Sequence, residues 1–139
     1  MFKNKRALAL AGVAVMAGLA AGPAWAGDKG TGAAVPIKVT APYAQAAAVV
    51  NADGSLNRAK GINAVTKPGV GQYCVELEDK DLDITKLVPS ATLQYTSFEY
   101  GIRISMWPHP ACGTQKNTFH VITGMPNKWE DRAFSFVVM

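Results

Sequence analysis

From Ala46 onward the sequence is a succession of short runs rich in Val, Ile, Thr, Tyr and Phe, each closed off by glycine, proline or an Asp-Gly pair. They cover residues 46–51, 61–67, 71–78, 91–98, 101–107, 117–124 and 132–139. Runs of this length and composition suit extended, half-buried strands, whereas a helix of a globular domain needs a longer stretch with helical periodicity. Two runs alternate. Tyr73, Val75 and Leu77 fall opposite Cys74, Glu76 and Glu78, and Ile102, Ile104 and Met106 fall opposite Arg103, Ser105 and Trp107, because successive side chains of a strand point to opposite faces. Such strands are wet on one face and need a second layer on the other. The connectors agree: Asp53-Gly54 suits a tight hairpin, residues 67–71 a glycine-rich turn, and Glu99-Tyr100-Gly101 another turn. Helical signal is limited to one turn over residues 81–87. The expected fold is all-β, a small antiparallel β-sandwich or barrel of about seven to eight strands over residues 46–139.

The N-terminal part has a different character. Lys3, Lys5 and Arg6 precede an apolar run over residues 7–21, Gly22-Pro23 breaks it, and Ala24-Trp25-Ala26 offers small residues on either side of a large one. This is the layout of a secretory signal peptide over residues 1–26, and the apolar run falls short of the ~20 residues that span a bilayer. The expected location is therefore secreted, extracellular or periplasmic, with no membrane association after cleavage. Residues 27–45 are small, proline-containing and aperiodic and read as a flexible leader, in which Ile37-Lys38-Val39 can add a short edge strand.

Charge follows from that division. The whole chain carries a formal +4 from 14 Lys and Arg against 10 Asp and Glu, and three of its cations lie in the signal segment. The remainder is close to neutral with its cations scattered. A nucleic-acid partner is excluded on this ground, because phosphate recognition needs a clustered cationic face.

Two cysteines, Cys74 and Cys112, stand in a chain bound for an oxidising compartment, and a bridge between them is expected. Cys74 shares the polar face of its strand with Glu76 and Glu78, so the bridge would pin the loop over residues 108–116 across the outer face. A free or intermolecular thiol is the alternative reading.

Residues 49–58 (VVNADGSLNR), 61–66 (GINAVT) and 69–77 (GVGQYCVEL) together resemble a VVNADGxLxRxxGV…GxGxYxVxF pattern. It belongs to a family of bacterial secreted β-domains, mostly uncharacterised, which also occurs at the ends of collagen-like and tail-fibre-like chains. The resemblance covers about a third of the chain after the signal segment and weakens beyond Glu78, although residues 134–138 are similar to the family's final strand. Members often carry a cysteine after the acidic turn, where this chain has Asp83-Ile84-Thr85-Lys86. The resemblance implies export and a β-fold; it brings neither catalytic residues nor a disulfide pairing.

Chemistry-bearing clusters are few. Asp79, Asp81 and Asp83 alternate as in a calcium loop, but the sixth and twelfth positions are Ile84 and Ser90 rather than glycine and a carboxylate, so a solvated acidic turn is expected. His109, Cys112 and His120 would make an incomplete metal site whose cysteine is oxidised. Glu76 and Glu78 sit ~7 Å apart on one strand face and point the same way, whereas glycosidase carboxylates flank a sugar bond. No nucleophile elbow and no glycine-rich loop opening a helix is found. The expectation is a protein that is not an enzyme and holds no metal or cofactor.

The aromatic residues remain. Trp107 precedes Pro108-His109-Pro110, Trp129 sits in the polar segment 127–131, and Tyr95, Phe98 and Tyr100 surround a turn. Exposed aromatics beside polar groups stack on sugar rings or anchor protein interfaces; alternatively both tryptophans cap the ends of the core. The candidate ligand-binding residues are Tyr100, Trp107, His109 and Trp129. The expected function is binding of a glycan or a cell-envelope surface. The alternatives are protein-protein assembly, as a homo-oligomer or fibre-tip module, and a small secreted hydrolase or inhibitor.

Overall fold

The computed structural model describes residues 35–139. The signal peptide expected over residues 1–26 and the first part of the leader lie outside the described residues. Ten strands are found among them: β1 (Ile37–Lys38), β2 (Ala46–Val50), β3 (Leu56–Lys60), β4 (Ile62–Gly69), β5 (Gln72–Leu77), β6 (Pro89–Leu93), β7 (Gly101–Ile104), β8 (Thr118–Met125), β9 (Lys128–Trp129) and β10 (Phe134–Val138). The first sheet has the order β1-β3-β2-β10-β6 and the second β4-β5-β8-β7, with β9 added to the end of β8. Every pairing is antiparallel except β1 with β3. The described residues are thus all-β with two separate sheets, a sandwich-like arrangement and not a closed barrel.

Alternation decides what lies between the sheets. Ala46, Ala48 and Val50 of β2 and Phe134, Phe136 and Val138 of β10 face Tyr73, Val75 and Leu77 of β5 and Phe119 and Val121 of β8, all buried. Tyr73 meets Phe134 edge-on at 5.1 Å between ring centroids, and Phe119 meets Phe136 at 5.3 Å. Each such aromatic contributes ~1.5–3 kcal/mol by burial, and each of the two edge-to-face pairs a further ~0.5–1.5 kcal/mol. Ile84 and Leu87, which bracket a single 3₁₀ turn over Ile84–Lys86, close one end of this core. Among the described residues there is no α-helix, and no helix is long and apolar enough to cross a membrane.

Four boundaries differ from the sequence expectation. Strand β3 was not anticipated, because Asn57, Arg58 and Lys60 give its run a polar composition; its outer edge is instead covered by β1, and the Lys60 ammonium donates to the Ala44 carbonyl at 2.7 Å. The run expected over residues 91–98 is strand only to Leu93. After the Gln94 amide bonds the Ala133 carbonyl, Tyr95 turns the chain away with φ of 50°. Met106 does not join Ile102 and Ile104 on the core face, since β7 ends at Ile104 and the Ser105 hydroxyl donates to the Trp107 carbonyl, leaving Met106 exposed. Finally, Lys128–Trp129, read as loop, is strand β9. The short edge strand allowed in the leader is present as β1.

Candidate functional site

The outer face of the second sheet is a grid whose rows follow from strand register. Gln72 of β5, Ile122 of β8 and Arg103 of β7 form one row, and Trp129 of β9, Gly124 of β8 and Gly101 of β7 form the next. In the other direction, Cys74 lies opposite His120, and Glu76 opposite Thr118. These residues share one face because the intervening positions, Tyr73, Val75, Val121, Ile102 and Ile104, point into the core.

One half of this face is covered by the segment between β7 and β8. Cys112 is bonded to Cys74, with Cα atoms 5.5 Å apart, so the expected bridge does pin the loop across the outer face. Beside it His109 stacks on the buried His120, whose Nε2 lies 3.2 Å from Gln72 Oε1. Burial pushes the His120 pKa down, and His109 pushes it further in the same direction. The His109 ring also accepts a hydrogen bond from the Ala111 amide through Nδ1, capping a 3₁₀ turn at Pro110–Cys112.

The other half is open. Gly101 carries no side chain and has no other atom closer than 4.0 Å to where one would start, so the row beside Trp129 is hollow at that position, and a groove of about 330 Å³ occupies it. Its floor is Gly101, Gly124 and Ile122, and Trp129, Tyr100, Phe98 and Arg103 stand around it. The volume is at the lower end of the ~300–1,000 Å³ range of small-molecule sites. Gly124 is also required by the backbone. With φ of 143°, it lets the chain reverse after β8 so closely that a side chain there would lie 2.7 Å from the Glu130 nitrogen and from the Trp129 Cα.

A network of fixed charges holds the walls. The Arg132 guanidinium lies 3.7 Å from the centroid of the Tyr100 ring and donates to Glu130 at 2.8 Å; Lys128 reaches the other Glu130 oxygen at 2.8 Å. These partners, Lys128 first, hold the Glu130 carboxyl below the usual carboxylate range. Asp131 accepts from the Gly71 amide at 2.6 Å and pairs with Lys67, and those two contacts lower its pKa in the same way. Tyr73 completes the link to the core: its hydroxyl donates to the Ala52 carbonyl at 2.7 Å and accepts from the Arg132 amide at 3.1 Å. The segment that carries the groove wall is thereby tied to the ends of β4 and β5 and to the β2–β3 turn.

Of the four residues expected to bind ligand, Trp129 and Tyr100 meet at the groove, while Trp107 and His109 do not line it. Trp107 is 69% and Trp129 51% exposed, so neither caps the core. Arg103, Phe98 and Ile122 were missed as groove residues, since only the pairing of β7 with β8 brings them beside Trp129. The acidic turn spends its carboxylates locally. Asp79 accepts from the Asp81 amide, and Asp83 accepts from the Thr85 amide and hydroxyl. Glu76 lies half-buried beside the disulfide, and Glu78 lies beyond the end of β5. Among the described residues no three His, Cys, Asp or Glu side chains gather as a metal ion would require. Compared with family models, with curated proteins and with solved structures, the chain matches none.

Proposed function

We propose that this protein is a secreted, non-catalytic β-module that binds carbohydrate at the cell exterior through the groove beside Trp129. The observation that carries the reading is the hollow row Trp129–Gly124–Gly101, with an aromatic wall on either side and a guanidinium one row away. A pyranose ring presents apolar C–H faces and an equatorial belt of hydroxyls. It therefore stacks on an exposed indole while its edge meets polar groups, and a rigid strand scaffold lowers the entropic cost of holding that geometry. Export is supported by the bridged cysteines and by the layout of the N-terminal segment. In this reading the chain belongs with the secreted β-domains that its residues 49–77 resemble.

The test is retention of the purified protein on a glycan array and on isolated cell-wall polysaccharide, with Trp129→Ala and Trp107→Ala side by side. Saturable binding that is lost in Trp129→Ala and kept in Trp107→Ala supports the groove. Turnover of any retained glycan points to a hydrolase instead, and absence of binding to every surface removes the carbohydrate reading. A second reading, protein-protein assembly, draws on Tyr95 and Phe98, which stand fully exposed on the β6–β7 loop. Its signature is a concentration-dependent increase in mass that Phe98→Ser abolishes.

A further inference from the structure

We infer that the groove selects acidic sugars, and that Arg103 receives their carboxylate; this rests on the carbohydrate reading above. The inference comes from an inventory of charge around the groove. Lys128 and Arg132 both pair with Glu130, Lys67 is paired with Asp131, and Glu99, which also lines the groove, accepts a hydrogen bond from the Ser97 hydroxyl at 2.9 Å and keeps its negative charge. Arg103 lines the same groove and has no hydrogen-bond or ion-pair partner among the described residues. Its position is fixed by a rigid element. It sits in β7 opposite Ile122, on the outward face, with Ile102 and Ile104 on either side packed against the core.

A guanidinium without a hydrogen-bond or ion-pair partner at the edge of a concave, partly apolar surface is matched by a planar anion that accepts two parallel N–H donors. The two neighbouring rows separate the tasks. Trp129 and the glycine floor take the face of the ring, and Arg103, one row along the sheet, takes a group projecting from its edge. A carboxylate on the ring, as in a hexuronic acid, has this geometry, since it is planar, anionic and attached to a stackable pyranose. A neutral hexose offers the same stacking surface but leaves the guanidinium with water.

The experiment compares binding of oligogalacturonate and of its carboxyl-reduced, neutral counterpart to the purified protein, Arg103→Gln, Arg103→Lys and Trp129→Ala. The expected result is preference of the wild type for the acidic oligomer. Arg103→Gln loses roughly tenfold or more in affinity for that oligomer, as for a deleted charge-assisted pair, and binds the two oligomers alike. Arg103→Lys keeps only part of the preference, because an ammonium lacks the fork, and Trp129→Ala weakens both oligomers. Arg103 is exposed on the outer face, so its variants keep the wild-type circular dichroism and melting behaviour. Equal wild-type binding of the two oligomers, unchanged by Arg103→Gln but lost in Trp129→Ala, overturns the acidic-sugar inference and leaves the carbohydrate reading standing. No binding of either oligomer, together with an unreactive glycan array, overturns both.

Discussion

The imidazole of His109 lies flat on that of His120, with ring centroids 4.0 Å apart and planes 15° from parallel. His120 is buried, and His109 uses its Nδ1 to accept the Ala111 amide. Protonating His120 would place a charge in a poorly solvated site, which explains why its pKa lies below the ordinary histidine value, with His109 adding to the effect.

The sign of the consequence is fixed by linkage. Above the unfolded-state pKa of ~6.5 both states hold a neutral His120 and the site is indifferent to pH. As pH falls below that value the unfolded chain takes up a proton that the native state resists, so stability declines until the lower native pKa is passed. Between about pH 7 and about pH 5 the His120 contribution to this fall, read from denaturation midpoints, is no steeper than ~1.4 kcal/mol per pH unit, the limit for one proton. His120→Gln should flatten this slope; an unaltered profile in that variant would place the pH dependence elsewhere.

The bridge between Cys74 and Cys112 closes a loop spanning 38 positions. In the chain-entropy account a cross-link of that size stabilises by roughly 3–4 kcal/mol. The double variant Cys74→Ala/Cys112→Ala should therefore lower the urea midpoint by an equivalent amount. It should also loosen the middle of the segment between β7 and β8, which is then held by the histidine stack and, at its far end, by the bond from the Ile84 amide to the Lys116 carbonyl at 2.8 Å. Amide exchange localises the effect. Protection should drop in residues 108–116 while the β2–β10 ladder keeps the order it has in the wild type.

Tyr73→Phe isolates one hydroxyl. The ring would still pack against Phe134, but the Arg132 amide would lose its partner and the Ala52 carbonyl would keep the Lys67 ammonium, at 3.2 Å, in place of two donors. Leaving a part-buried backbone group unsatisfied costs about 1–3 kcal/mol. Because Arg132 also lies over Tyr100, the variant should weaken ligand binding in the groove as well as global stability. A loss of stability with wild-type binding would show that the groove wall is held without this link.

The residues that resemble a family pattern have, for the most part, architectural explanations. Val50 is core, Asp53 accepts from the Ser55 amide and hydroxyl, and Tyr73 spans to the β2–β3 turn. Gly54, Gly61 and Gly71 all have positive φ, with neighbours too close for a side chain. Such positions are legible in a sequence because each is dictated locally, by a turn conformation or by alternation in one strand. The Tyr73, Val75, Leu77 face was readable for the same reason, and the cysteine pair because the sequence holds two cysteines and carries the layout of an exported chain. Strand β3 was hidden because an edge strand carries polar residues, and β9 because two residues have no period. The groove was half hidden. Trp129 and Tyr100 are conspicuous in the sequence, whereas Arg103 gains meaning only from the register that sets β7 beside β8, a long-range pairing that no local pattern encodes.

The two floor glycines should respond to the same substitution in opposite ways. A methyl group at Gly124 would meet the backbone of Lys128, Trp129 and Glu130, and its φ of 143° is unfavourable for any other residue, so Gly124→Ala must displace the β8–β9 hairpin. Strain of this kind costs ~1–3 kcal/mol, and the Glu130 amide, which bonds the Thr123 carbonyl at 3.0 Å, should exchange faster. At Gly101 the nearest atom to an added methyl is the Gly124 carbonyl oxygen at 4.0 Å, an ordinary contact. Gly101→Ala should therefore stay within ~0.5 kcal/mol of wild-type stability while placing a carbon in the groove floor. The pair separates fold from site: reduced ligand affinity in a fully stable Gly101→Ala assigns contact to the hollow row, because no structural damage accompanies it. Wild-type affinity in that variant would move the contact surface away from the floor and onto the exposed aromatics of the β6–β7 loop.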